Sequence, residues 1–171
     1  MFRILRKIQS VGIITENIER DSDYEALGST LKRQLERQFQ GSLAIRELDS
    51  GSCNACELEI QALNNPYYDV ERFGVHFVAS PRHADVLLVT GPMSRHMEEA
   101  ARRTYAAMAA PKWVIAVGDC AVDGGIFGCS YASRGGVSKV LPVDLTIPGC
   151  PPSPRHLVKG LLALLDSAAA R

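Results

Sequence analysis

The sequence predicts an α/β fold: a doubly wound, mostly parallel sheet preceded by an N-terminal helical arm. Two observations carry this. Short apolar runs rich in Val, Ile and Leu alternate with helical stretches over residues 42–167, the order that builds a parallel sheet. These runs are continuously apolar, as suits strands covered on both faces.

The elements follow in order. In residues 2–11, Phe2, Ile4, Leu5, Ile8 and Val11 recur at helical spacing with Arg3, Arg6, Lys7 and Gln9 between them, giving a short basic amphipathic segment. Such a segment suits an anionic membrane surface, a partner protein or the chain's own domain. Over residues 24–40, Leu27, Leu31, Leu35 and Phe39 recur about every four residues, and Gly41 is a helix stop. Strands are expected at 42–48, 74–79, 85–90 and 112–118, with a further extended piece at 140–147. Helices are expected at 57–64, 94–109 and 154–167. This organises the chain as a docking arm (1–42), an α/β domain (43–167) and a tail (168–171). The arm's two amphipathic segments, 2–11 and 24–39, are expected to dock on partner subunits.

Composition narrows the class. The 171 residues are 46% hydrophobic and 22% charged, enough for a sizeable core. A formal net charge of zero argues against a nucleic-acid binder working through a broad basic face. No apolar run approaches a membrane span. The basic N-terminus has no continuous apolar h-region, so no secretory signal is expected and the thiols should stay reduced.

Five cysteines then need explaining. Cys53 and Cys56 form a C-x2-C pair just after the first expected strand, Cys120 follows the strand ending at Gly118, and Cys150 follows the last extended piece. In an open parallel sheet, ligands bind beyond the carboxyl ends of the strands. Four thiols from three such loops can meet there, and Cys129, in a glycine-rich loop, is left over as a small core residue. A structural zinc site usually uses two close pairs. Here 63 residues lie between Cys56 and Cys120, and 29 between Cys120 and Cys150. A [4Fe–4S] cubane takes one thiolate per iron corner and tolerates such separations. The spacing favours the cubane, with zinc, thiol redox chemistry and unligated core cysteines as the alternatives. Asn54 with Glu57 resembles a capping box, and Ser153-Pro154 pairs a cap with the favoured first helical residue. Gly51, Gly118 and Gly149 are placed to let backbone N–H groups approach sulfur.

The stretch Asp49-Ser50-Gly51-Ser52-Cys53-Asn54-Ala55-Cys56-Glu57-Leu58-Glu59-Ile60 resembles the first cluster motif of small subunits of membrane-bound, energy-converting [NiFe] hydrogenases of the formate hydrogenlyase and hydrogenase-4 type. Residues 80–91, Gly118-Asp119-Cys120-Ala121 and the segment from Leu141 to Pro152 resemble the B subunit of NADH:quinone oxidoreductase. The resemblance spans about residues 43–165. It implies a flavodoxin-like domain holding one [4Fe–4S] cluster beside a large catalytic subunit, with Cys53, Cys56, Cys120 and Cys150 as ligands. It implies a proton-transfer candidate at Glu59, whose alternative is an ordinary helix glutamate. It places Arg82 and Arg134 near the cluster or a subunit interface, with a structural ion pair as the alternative for either.

Asn54 and Ala55 separate the first two cysteines, where the quinone-reductase branch has them adjacent; this is the hydrogenase pattern. With 21 residues after Cys150 and no cysteine-rich extension, one cluster is expected and no chain of clusters. The implied function is single-electron relay between a hydrogenase-like or complex I-like large subunit and a ferredoxin-like iron–sulfur subunit. The chain would sit with membrane-arm subunits on the cytoplasmic face of the membrane and show no turnover alone. The alternatives are the corresponding subunit of a quinone-reducing complex lacking nickel and, in another class, a zinc-stabilised structural module.

Overall fold

The computed structural model describes residues 2–12 and 21–169. Five parallel strands form one sheet in the order β2-β1-β3-β4-β5: β1 Leu43–Asp49, β2 Val75–Phe77, β3 Val86–Thr90, β4 Trp113–Val117 and β5 Leu145–Ile147. The register runs Ile45 opposite Phe77 on one side and Val86 on the other, then Leu88 opposite Ile115 and Val117 opposite Ile147. This is the flavodoxin-like order, in which the chain reverses its direction of travel across the sheet between β1 and β3.

The sheet is covered on both faces, which explains the unbroken apolar runs. All five residues of β3 are buried. On one face Leu43, Ile45, Leu88 and Val117 pack with helices α2 (Ser22–Gln38), α3 (Ala55–Ala62) and α6 (Pro154–Ala169). On the other, Leu48, Leu87, Val89 and Ala116 pack with Ala101 of α4 (Arg95–Ala107) and Ala121 of the short helix α5 (Asp119–Asp123). Two aspartates before strands stitch neighbours together. Asp85 Oδ2 accepts the Ala44 N–H at 2.9 Å, and Asp144 Oδ2 accepts the Val114 N–H at 2.9 Å.

Helix α1 (Phe2–Val11) buries none of its residues, so packing on its own domain is not its role. Helix α2 behaves differently. Asp21 Oδ1 caps it by accepting the Asp23 and Tyr24 N–H groups. Its Tyr24, Leu31 and Leu35 then enter the main core beside α6. The apolar face read over 24–39 is therefore spent inside the domain, which corrects the expectation that it docks on a partner. Of the expected extended piece at 140–147, only Leu145–Ile147 forms a strand, the short β5, and a 3₁₀ turn at Val137–Lys139 precedes the piece. Pro142, between the two, has no N–H to give a ladder.

Gly28 is where α2 meets the rest of the core. A Cβ there would overlap the buried Phe73 ring, which is also held edge-on by Tyr24 and covered by the Arg72 guanidinium. Gly28→Ala gains helix propensity but overpacks this contact. A net destabilisation of about 1–2 kcal/mol is expected, read as a lower denaturant midpoint at unchanged m-value.

Candidate metal centre

The loops after β1, β4 and β5 meet in one crevice at the carboxyl end of the sheet. It is lined by Cys53, Cys56, Cys120 and Cys150 together with Gly91, Asp119 and Gly149. All four thiols are free; Cys53 and Cys150 are exposed, and Cys56 and Cys120 half-buried. Burial raises the Cys56 thiol to about 12, helped by Glu57 and the other three cysteines. Cys120 is likewise raised, by burial and then by Cys150 and Cys53.

A scaffold of short hydrogen bonds holds these loops. Asp49 Oδ1 accepts the N–H groups of Gly51 and Ser52, each at 2.7 Å. Fully buried Ser50 donates its hydroxyl to the Thr90 carbonyl at 2.7 Å, tying the Cys53–Cys56 loop to the end of β3. Asp119 Oδ1 accepts the Gly149 N–H at 2.7 Å while its own N–H donates to the Gly149 carbonyl at 2.9 Å, tying the Cys120 and Cys150 loops to each other. Ser50 and Asp119 escape sequence reasoning because their partners lie in distant loops.

Gly118 places Cys56. Its φ is +87°, and a Cβ there would lie 2.6 Å from the Cys56 Sγ. Gly125 does the same for Cys120, at 3.0 Å from its Sγ. The expectation for glycine N–H groups is corrected. The N–H groups of Gly51, Gly118 and Gly149 donate to Asp49 Oδ1, the Ile147 carbonyl and Asp119 Oδ1, so they are not pointed at sulfur. Asn54 adopts a left-handed conformation and its side chain caps nothing, so the capping box does not form. Glu57 instead turns inward, 7% exposed, with neither carboxylate oxygen hydrogen-bonded. Burial, then Glu57 and Asp49, raise the neighbouring Glu47 carboxyl.

The other candidates scatter. Glu59 is half-buried on α3 and, among the described residues, its side chain makes no hydrogen bond or ion pair. Arg82 is exposed in the 3₁₀ turn Pro81–His83, which leads into the start of β3. That is the opposite end of the sheet from the cysteine crevice, so of the two places expected for it, near the cluster or at a subunit interface, the first is not realised. Arg134 pairs with Glu98 at 2.7 Å, and the hydrogen bonds from Arg134 and Arg102 hold the Glu98 carboxyl below the usual range. The ion-pair alternative is the one realised for Arg134. Cys129 is exposed and bridges antiparallel to Arg134, not buried in a core, because the glycine-rich loop runs over the surface.

Four thiols in one crevice are a soft donor set suited to an iron–sulfur cluster or zinc. The glycine cradles at Gly118 and Gly125 fit sulfurs held for ligation. Among the described residues, no three Cys, His, Asp or Glu side chains stand close enough to clasp a single metal ion.

Fold and site together define an α/β protein with a four-thiol centre in the crevice of an open parallel sheet. The fold is shared with chains of solved oxidoreductase structures. Residues 53–164 match the family described as NADH ubiquinone oxidoreductase, 20 Kd subunit, and the chain belongs to that family. It is 42% identical to formate hydrogenlyase subunit 7 of Escherichia coli over 80% of this chain, spanning 54% of that relative's length. It is 44% identical to a probable membrane-bound hydrogenase subunit of Pyrococcus furiosus, over 71% of this chain and 73% of the relative. Among solved structures it is similar to a chain of the membrane-bound sulfane sulfur reductase, an archaeal respiratory membrane complex. The TM-score is 0.66 at 31% identity, covering 81% of this chain and 74% of that one. An NAD+-reducing [NiFe]-hydrogenase chain shares the fold, with a TM-score of 0.57 at 19% identity, over 74% of this chain and 92% of that one.

Proposed function

We propose that this chain is the electron-transfer subunit of a membrane-associated, hydrogenase-like or complex I-like oxidoreductase, with Cys53, Cys56, Cys120 and Cys150 holding one [4Fe–4S] cluster. The observation that carries this is the meeting of those four thiols in one crevice while Cys129 lies outside it. A cubane, with four separate iron corners, does not need its thiols at single-ion spacing. When bound, the cluster supplies reversible one-electron transfer.

The chain's own residues set the conditions. Gly118 and Gly125 seat two of the sulfurs against backbone, Asp119 and Ser50 lock the loops, and half-burial of Cys56 and Cys120 keeps one side of the centre away from water. Cys53 and Cys150 lie at the surface, so the other side faces outward, where a partner could approach. Ile126 and Phe127, on the loop that abuts Cys120, are 89% and 51% exposed, an apolar edge suited to a subunit contact. The relay would run between a large catalytic subunit, with or without nickel, and a ferredoxin-like iron–sulfur subunit. No helix among the described residues is long and apolar enough to cross a membrane.

The test is anaerobic purification of the full chain. Brown protein with about four irons per chain that bleaches on reduction is the expected result. A colourless chain holding one zinc would overturn the reading, as would reactive Cys53 or Cys56 in a protein without metal.

A further inference from the structure

Helix α1 is not used by the thiol centre or by the core. All its described residues are exposed, including Phe2 at 80%, Ile4 at 66%, Leu5 at 53%, Ile8 at 61% and Val11 at 48%. At roughly 100° per residue, Ile4, Leu5, Ile8 and Val11 fall within an arc of about 120°. Arg3, Arg6 and Lys7 fall outside that arc, Lys7 at its edge beside Val11 and Arg6 next to Phe2, and the helix contains no Asp or Glu. Deepening the reading of a peripheral complex subunit, we propose that α1 is a membrane-surface anchor. Its apolar face lies in the interface of an anionic bilayer, and its three cations engage the lipid headgroups.

Charge selects the lipid surface over a protein groove. The chain is formally neutral, so the three cations of α1 leave the remainder at −3. An anionic bilayer repels that remainder and attracts α1, which makes the helix the first and preferred point of contact. A basic polar face opposite large apolar side chains is the composition of helices that lie in the membrane interface. At ten residues α1 is about 15 Å long, too short to span but long enough to lie flat. A helix this short is marginal in water without tertiary contacts, and burying its apolar face in lipid supplies the missing stabilisation. Ten residues separate Val11 from the start of α2, a contour of at most about 35 Å, so α1 can lie on a surface without drawing the sheet onto it.

The test is cosedimentation of the full chain with vesicles of phosphatidylglycerol and phosphatidylcholine, beside vesicles of phosphatidylcholine alone. The wild-type chain is expected to pellet with the anionic vesicles and to be released by high salt. The triple variant Arg3→Gln, Arg6→Gln, Lys7→Gln should bind on the order of a hundredfold more weakly. The double variant Ile4→Asp, Ile8→Asp should not bind. Neither variant touches the folded domain, and unchanged thermal melts would establish that. Equal binding to neutral vesicles, or a triple variant that binds like wild type, overturns the proposal. So does a wild-type chain that ignores vesicles while the variants lose binding to partner subunits; α1 is then a protein-docking helix. Iron per chain is measured on the same preparations. Full iron without vesicle binding defeats the anchor alone, and vesicle binding without iron defeats the metal centre alone.

Discussion

Cys56→Ser is expected to lower the iron content of the anaerobically purified chain from about four per chain to below one, while Cys129→Ser leaves it unchanged. Cys56 sits in the first turn of α3, half-buried, with its sulfur against Gly118. A serine hydroxyl there offers a hard, weakly acidic donor in place of a soft thiolate, and the surrounding apolar core gives it little chance to recruit water as a substitute ligand. Cys129 lies on an exposed loop outside the crevice. Iron and acid-labile sulfide assays with the visible spectrum decide the matter. Equal iron loss in both variants would show that the division of the cysteines into four and one is wrong.

Gly118→Ala should have nearly as large an effect without removing any ligand. Its backbone, at φ +87° and ψ +154°, lies in a region that side chains rarely tolerate, at a cost of about 1–3 kcal/mol. The added Cβ would also stand 2.6 Å from the Cys56 Sγ and force the sulfur from its seat. The expected result is a stability loss of that size together with loss of most of the iron. Gly128→Ala is the control. Gly128 also has a positive φ, +54°, yet a Cβ there meets nothing within 4 Å. It should cost stability and keep its iron. Iron loss in both variants would assign the effect to backbone strain and not to displacement of Cys56.

Much of this was legible along the chain. The apolar runs at 85–90 and 112–118 are β3 and β4, because strands buried on both faces must be apolar at every position. The sequence alone places the cysteines together because each site follows a strand, and the carboxyl ends of parallel strands share one edge. What failed has a common cause. The partner of Arg134, the inward turn of Glu57, the surface position of Cys129 and the destination of the α2 face all depend on contacts between residues far apart in sequence. Periodicity tells that Leu31 and Leu35 share a face, not whether α6 or another protein covers it. Glu57 and Glu59 are two positions apart on one short helix, and only its docking on the sheet decides which of them is buried.

The amino-acid order by itself therefore determined the strand-helix alternation, the fold class and the four strand-end cysteines, because backbone periodicity and burial on two faces act locally along the chain. Tertiary structure alone decided that Gly118 and Gly125 cradle sulfurs, that Asp119 joins the Cys120 and Cys150 loops, and that α2 belongs to the core while α1 does not. Those outcomes rest on close packing, where a few ångströms between distant residues separate a contact from none.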